Sequence, residues 1–222
     1  MTGIMLVRHA QASFGAADYD RLSPLGHEQA AALGRALAAR AAPRPVRVYR
    51  GRQRRHRETL EGMAPALGLD PAQAVLHPGL DEFDAKGLLG ARFGPRGLPQ
   101  TVREDRKQYF QILRDTVLAW QRDEIADPPE SWTAFSDRVA QASAAMLAED
   151  GPVLAVSSGG AISRMIVAAL DAPAAQMIQL QLQMKNCAVS RLVGRTGALF
   201  LHSFNEAPHL ATALDERLLT YA

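Results

Sequence analysis

Short apolar runs alternate along the chain with longer stretches whose apolar residues recur at helical spacing. An apolar run that stops abruptly at polar residues is typical of a buried parallel strand. The run that ends at Arg8-His9 and the run that ends at Ser158-Gly159-Gly160 show this form most clearly. The pattern predicts strands over residues 3–7, 46–49, 152–157, 187–193 and 198–204.

Helices are predicted between these strands from apolar spacing and from capping residues. Ser23 followed by Pro24 is typical of a helix start, with Ser23 as N-cap and proline in the first turn. That helix should end near Ala41, before Pro43. Further helices are expected over 54–67, around 109–120, over about 132–146 and directly after Gly160. Residues 76–100 are rich in glycine and proline, and they are predicted to form loops.

The alternation of strands and helices predicts an α/β fold: a three-layer sandwich with a mostly parallel central sheet flanked by helices. Residues 1–222 are expected to form one domain, in which about 88–149 form a helical cap or insertion. In such sheets ligands bind at the carboxyl ends of the strands. Arg8-His9 and Ser158-Gly159-Gly160 both follow strand ends, so a common site there is the first functional indication.

Composition narrows the class of protein. The chain has 222 residues, 47% of them hydrophobic, which excludes a disordered chain, and it has no apolar run long enough to span a membrane. Its single cysteine, Cys187, excludes an intramolecular disulfide. Arg8 and His9 interrupt the start before a signal-peptide core could form, so a cytoplasmic location is expected. A net charge of +2 predicts neither a nucleic-acid nor a membrane partner.

Positive charge is carried almost entirely by arginine. Only three of the 25 basic residues are lysines, and eight arginines lie between Arg40 and Arg57. The planar guanidinium suits phosphate recognition, but a coding bias toward arginine and alanine would produce the same imbalance. Both interpretations stay open at this point.

The Arg8-His9 pair has a specific chemical meaning at a strand end. An imidazole can attack phosphorus while a neighbouring guanidinium neutralises the phosphoryl oxygens. The alternative is a histidine hydrogen-bonded at a strand terminus beside a solvated arginine, and the pair taken alone favours this alternative.

Several segments resemble the histidine phosphatase superfamily, which has the phosphoglycerate-mutase-like fold. They occur in family order and span nearly the whole chain, with residues 88–130 the least matched. Arg8-His9 and the segment before Gly159 are two of these segments. Residues 22–30 resemble the family's Leu-Thr-x-x-Gly-x-x-Gln-Ala motif, and residues 48–59 resemble its second-arginine segment. Residues 80–84 resemble its Leu-x-Glu motif, and residues 204–210 resemble its Asn-x-x-x-His-Leu motif.

The resemblance implies roles for individual residues. It makes His9 the nucleophile, places Arg8 and Arg55 on the phosphoryl oxygens, and makes Glu82 the proton donor to the leaving group. Asp81 or Asp84 could take the acid role if the register slips. Without the resemblance, an ordinary solvated acidic turn is the favoured interpretation of this segment.

Two positions depart from the family pattern. The usual Arg-His-Gly becomes Arg8-His9-Ala10, a minor change that needs only a non-positive φ at Ala10. The family's Val-Ser-His-Gly-Gly becomes Val-Ser-Ser-Gly-Gly, so Ser158 stands where a second pocket histidine is expected. A hydroxyl brings no charge. The site has therefore either lost one charged donor or been rebuilt around serine. In both cases Ser158 and Gly159, at the start of the following helix, are expected to bind the phosphate.

These residues predict a metal-independent phosphohydrolase without a cofactor, acting through a phosphohistidine intermediate on a small anionic phosphoester. One alternative is a catalytically weakened protein that binds a phosphorylated ligand or regulates through it; Ser158 supports that alternative. A further alternative is a phosphoglycerate-type mutase. The sequence names neither the substrate nor the oligomeric state.

Overall fold

A central six-stranded sheet organises the computed structural model, which describes residues 1–13, 18–40, 44–94, 98, 102, 105–195, 197–210 and 213–221. The strands run in the order β3-β2-β4-β1-β5-β6. Their bounds are β1 Thr2–Arg8, β2 Arg47–Arg50, β3 Val75–Leu76, β4 Val153–Ser157, β5 Val189–Arg195 and β6 Ala198–Glu206.

The helices follow the strands in alternation over the first half of the chain. They are α1 Pro24–Ala39, α2 Arg54–Leu67, α3 Ala85–Phe93, α4 Arg106–Gln121, α5 Trp132–Leu147, α6 Gly159–Ala169 and α7 Gln176–Gln183. Within the described residues, 3-10 helices span Pro71–Gln73, Pro78–Leu80 and Ala213–Leu218. The predicted start of α1 is confirmed, because the Ser23 hydroxyl accepts the Gly26 N–H at 3.0 Å.

The sheet is parallel where the site is expected. Strands β3, β2, β4 and β1 are mutually parallel, whereas β5 and β6 are antiparallel to their neighbours. Because β4 lies between β2 and β1, the carboxyl ends of all three meet at one edge. The parallel register pairs Arg8 directly with Ser157. The predicted mostly parallel α/β sandwich is confirmed.

Alternate residues of the central strands face two hydrophobic cores. Ile4 and Leu6 of β1 belong to a large core with α4, α5, α6 and α7. Val7 belongs to a smaller core with α1 and α2 on the other side of the sheet. This alternation follows from the period-2 geometry of a strand, and it explains why residues 3–7 of β1 are apolar without interruption.

The loop prediction for residues 76–100 is wrong in part. Helix α3 forms there because the Asp84 carboxylate accepts the Gly87 N–H at 2.8 Å, and it ends at Gly94, whose φ is +78°. The helix was not predicted because Gly87 and Gly90 within it have low helix propensity. Helix α7 was not predicted either, because its sequence alternates polar and apolar residues, a strand-like period. The predicted end of α1 near Ala41 and Pro43, and residues 95–97, lie outside the described residues.

The described part of the stretch predicted as a cap is mainly helical, with turns and bends between α4 and α5. Helix α3 contacts α4, and α4 contacts α7, whereas α5 packs on β1 and α6 as part of the main sandwich. Treating all of residues 88–149 as an insertion stays a prediction. In the described part of the chain, no helix combines the length and apolar character needed to cross a membrane.

Candidate active site

The adjacent ends of β1 and β4 place His9 beside Ser158. The His9 N–H donates to the Ser157 carbonyl at 2.9 Å, and the His9 carbonyl accepts from Asn186 Nδ2 and from the Cys187 N–H, each at 3.3 Å. These bonds fix the backbone where the strand ends. His9 itself is only 6% exposed.

The His9 imidazole is held in one tautomer. Its Nδ1 lies 2.7 Å from the Ala10 carbonyl oxygen, which can only accept, so Nδ1 carries the proton and Nε2 keeps a free lone pair. Burial, together with Arg55 and Arg8, holds the pKa of His9 well below its usual value. The ring is therefore neutral. Ala10 donates its N–H to Thr59 Oγ1 at 2.9 Å and does not have a positive φ, as the sequence required.

Two buried arginines flank this histidine. Arg8 donates from Nη1 to the Met184 carbonyl, and burial lowers the pKa of Arg8 to about 10, which leaves it charged at neutral pH. Arg55, in the first turn of α2, donates from Nη1 to Asp20 Oδ1 at 2.6 Å. Its Nη2 lies 3.4 Å from Ser158 Oγ. Two guanidinium groups thus supply positive charge beside His9, at the carboxyl ends of β1 and β4.

Glu82 reaches the same edge from the segment that precedes α3. Its Oε2 accepts the Gly160 N–H at 3.0 Å and the Gln181 amide at 3.3 Å, and its backbone N–H donates to Gln53 Oε1 at 3.1 Å. Burial raises the pKa of Glu82, against the opposing effects of the Gly160 N–H and of Arg55. A carboxyl with a raised pKa suits a general acid.

Ser158 is surrounded by side chains from α2 and from the residue before it. Its Oγ lies 2.7 Å from His56 Nε2, 3.4 Å from Arg55 Nη2 and 3.4 Å from Gln53 Oε1. Although Ser158 is the N-cap residue of α6, its hydroxyl makes no capping bond. The first amides of α6, beginning at Gly159, lie at the positive end of the helix dipole, which favours anions.

The structure brings all six predicted site residues to one end of the sheet: Arg8, His9, Arg55, Glu82, Ser158 and Gly159. The two competing acids are engaged elsewhere. Asp81 accepts from the Arg52 N–H and Nε, both at 2.6 Å, and Asp84 caps α3. These contacts favour Glu82 as the acid.

The other arginines of residues 50–57 have partners elsewhere in the protein. Arg54 pairs with Asp18 and with Glu58, and Arg57 lies 3.6 Å from Glu61 on the same helix. Arg50 donates to the Gly51 carbonyl at 3.1 Å. Only Arg55 of this run reaches the Ser158 hydroxyl.

Sequence reasoning missed His56, Gln53 and Asp20 as members of the site. A signal for His56 existed: with Leu60 and Met63 it lies at the i, i+4, i+7 spacing of a buried helix face. A histidine on such a face, next to a candidate phosphate arginine, could have been placed in the site. Across the described ranges, no group of three or more His, Cys, Asp or Glu side chains could hold a metal ion.

Comparisons with known proteins bear on the family and the fold of this chain. None of the curated proteins matches the sequence significantly. Among solved structures, a mycobacterial glucosyl-3-phosphoglycerate phosphatase with inorganic phosphate is 22% identical, with 94% of this chain and 99% of that chain covered at a TM-score of 0.67.

Two further structures have the same fold. A phosphoserine phosphatase mutant from Entamoeba histolytica, in complex with phosphoserine, is 20% identical, with 95% and 100% of the chains covered and a TM-score of 0.65. Bacillus stearothermophilus YhfR is 17% identical, with 94% and 99% covered and a TM-score of 0.69. The family model of the histidine phosphatase superfamily (branch 1) matches residues 4–207, and this chain therefore belongs to that superfamily.

Proposed function

We propose that this protein is a phosphohydrolase that removes the phosphoryl group of a small anionic phosphoester through a phosphohistidine at His9. The observation that carries the proposal is the bond from His9 Nδ1–H to the Ala10 carbonyl, at 2.7 Å. It leaves Nε2 unprotonated in a site bordered by Arg8 and Arg55. A neutral, oriented imidazole between two guanidinium groups is suited to attack on an anionic phosphorus centre.

In the first step, His9 Nε2 forms a bond to phosphorus as the bond from phosphorus to the ester oxygen breaks. Arg8, Arg55 and the Gly159 N–H at the start of α6 stabilise the charge on the non-bridging oxygens. Glu82 gives its proton to the departing alkoxide, while the proton on His9 Nδ1 stays there and is donated to the Ala10 carbonyl throughout. The raised pKa of Glu82 keeps that proton available.

In the second step, water attacks the phosphohistidine and the Glu82 carboxylate accepts a proton from it. The phosphorus–nitrogen bond breaks, inorganic phosphate leaves, and His9 and Glu82 return to their starting protonation states. The named activities of the structural neighbours, on glucosyl-3-phosphoglycerate and phosphoserine, support phosphate monoesters of small polar molecules as the substrate class.

Two alternatives from the sequence have distinct signatures. A catalytically weakened binding protein, which Ser158 favours, would hold a phosphorylated ligand without releasing phosphate. A mutase would return the phosphoryl group to a second acceptor hydroxyl rather than to water. Measurement of inorganic phosphate against transfer product separates the three.

The test is release of phosphate from a panel of phosphate monoesters, with trapping of acid-labile phosphoprotein. We expect His9→Ala to abolish the labelled intermediate and to lower turnover by about 10³-fold or more. His202→Ala is the matched control, because His202 is exposed on β6. Label that persists in His9→Ala would assign the nucleophile to another residue.

Metal independence is part of the same proposal. Arg8, Arg55 and the α6 amides already supply the positive charge that a divalent ion would otherwise bring. We expect turnover to be unchanged after chelation with EDTA and dialysis. Loss of activity that a divalent ion restores would contradict this mechanism.

A further inference from the structure

His56 is a completely buried histidine that the mechanism above does not use. Its Nε2 lies 2.7 Å from Ser158 Oγ, and its ring centroid lies 5.8 Å from that of His9. It follows Arg55 directly in the first turn of α2. The imidazole therefore reaches, from a different element, the position after β4 where the family resemblance places a second pocket histidine.

The surroundings of His56 are built to accept a ring. Nδ1 faces the backbone of Gly51, and a Cβ at Gly51 would overlap the imidazole, so only glycine leaves room for it. Burial, Arg55 and Arg50 hold the pKa of His56 well below its usual value. An imidazole is a costly filler for a buried site beside arginines unless its polar atoms have a use. The 2.7 Å contact with Ser158 identifies that use.

We propose that His56 is a positioning residue that acts through Ser158, and that this imidazole–hydroxyl pair replaces the missing second histidine in binding the phosphoryl group. The proposal rests on the proposed function. A hydroxyl has one proton. If Ser158 directs it at a phosphoryl oxygen instead of at Gln53 Oε1, 3.4 Å away, the 2.7 Å contact with His56 must be a hydrogen bond donated by Nε2–H, and the neutral ring then has no proton on Nδ1.

The pair does more than a serine alone. Ser158 Oγ then accepts from His56 Nε2 and from Arg55 Nη2, at 2.7 and 3.4 Å. A hydroxyl that accepts from such donors is polarised and becomes a stronger donor to an anion, because hydrogen bonds in a chain strengthen one another. The Ser158 hydroxyl is thus polarised by the positive charge of Arg55 and binds the phosphoryl oxygens more strongly, although it carries no charge itself.

The exchange of residues tests this directly. In the parent, a histidine at position 158 would collide with the His56 ring. We therefore expect Ser158→His alone to lose at least tenfold in kcat, and Ser158→His combined with His56→Ala to recover most of that loss. Equal or higher activity of the single variant would overturn the proposal, because it would mean that the pocket is merely depleted.

A double-mutant cycle gives an independent readout. His56→Ala and Ser158→Ala should each lower kcat by about 10²–10³-fold, the range for loss of one transition-state donor, and the double variant should be no slower than the slower single variant. His56→Gln retains an N–H at similar reach and should recover part of the loss, whereas His56→Phe should not. Additive losses, or equal rates for Gln and Phe, would overturn the proposal.

Folding and the proposed function are controlled separately. Thermal unfolding of each variant, with His202→Ala as the control, identifies losses that come from instability, and the affinity for orthovanadate measures the pocket without turnover. We expect His56→Ala to bind orthovanadate about tenfold more weakly. His9-dependent turnover that His56 variants leave unchanged would overturn this proposal alone. Absence of both His9-dependent turnover and vanadate binding would overturn the proposed function with it.

Discussion

Glu82 and Gly160 are matched in position: the carboxyl Oε2 accepts the Gly160 N–H at 3.0 Å, and a Cβ on Gly160 would overlap Oε1 of the same carboxyl. The first turn of α6 therefore orients the candidate acid. Since Glu82 and Gly160 come from segments 78 residues apart, this match depends on the packing of α6 against the segment before α3.

Gly160→Ala should displace the Glu82 carboxyl and weaken leaving-group protonation. We expect kcat on alkyl phosphates to fall by about 10²-fold, while p-nitrophenyl phosphate, whose leaving group needs no proton, is far less affected. Comparison of the two substrate classes measures this. Gly3→Ala is the control, because Gly3 lies at the opposite end of β1 with open space for a Cβ. An equal loss on both substrates would contradict the assignment.

The shifted pKa values of His9 and Glu82 predict the shape of the pH profile. The lowered pKa of His9 means that the neutral nucleophile persists as the pH falls, so activity should extend below the usual histidine range. The raised pKa of Glu82 means that the protonated acid persists as the pH rises, so the alkaline limb should lie above the usual carboxyl range. Profiles of kcat/KM for alkyl phosphates measure both limbs.

Glu82→Gln separates the two limbs. The variant should be slower by about 10²-fold or more on alkyl phosphates and should lack the alkaline limb, because no titrating acid remains. The acid limb should stay where it is in the parent. An alkaline limb that survives in Glu82→Gln would belong to another group and would remove Glu82 from the acid role.

Much of the fold could be predicted from the sequence because several elements have clear local signals, such as an apolar run or a capping residue. Residues 3–7 are apolar without interruption since β1 is covered on both faces, and Ser23-Pro24 caps α1 as its chemistry requires. Helix α7 was missed because its polar–apolar alternation imitates a strand, and the shielding of its apolar residues comes from tertiary contacts.

The part of the site that lies in single local motifs could be predicted from the sequence. Arg8, His9, Arg55 and Glu82 were each identified from a local segment that resembles the family. The contact between His56 and Ser158 joins residues 102 positions apart, and it depends on the register of β1, β2 and β4 together with the packing of α2 against β4. A sequence shows that Ser158 lacks an imidazole, but only the packing shows where another imidazole comes from.

Asp20 should matter through Arg55. The carboxylate holds Arg55 Nη1 at 2.6 Å, so Asp20→Asn should raise KM several-fold with a smaller effect on kcat. Arg55→Ala should lower kcat/KM by about 10²–10³-fold, and Arg55→Lys should recover little, because an ammonium cannot bind the phosphoryl oxygens and Asp20 as a planar fork does. Steady-state kinetics of the three variants check this. Wild-type kinetics of Arg55→Lys would contradict the role of the fork.

Gly34 sets the approach of α1 to α2, and its substitution should affect stability rather than chemistry. A Cβ at Gly34 would overlap the Met63 backbone carbonyl and lie 2.8 Å from Met63 Cα, and backbone atoms cannot rotate away. Gly34→Ala should therefore separate the helices and lower the free energy of unfolding by about 1–3 kcal/mol, as overpacked cores do. Gly90 in α3 has open space, so Gly90→Ala should instead stabilise by about 0.5–1 kcal/mol. Urea unfolding of both variants measures the difference, and stabilisation by Gly34→Ala would contradict the close packing of α1 on α2.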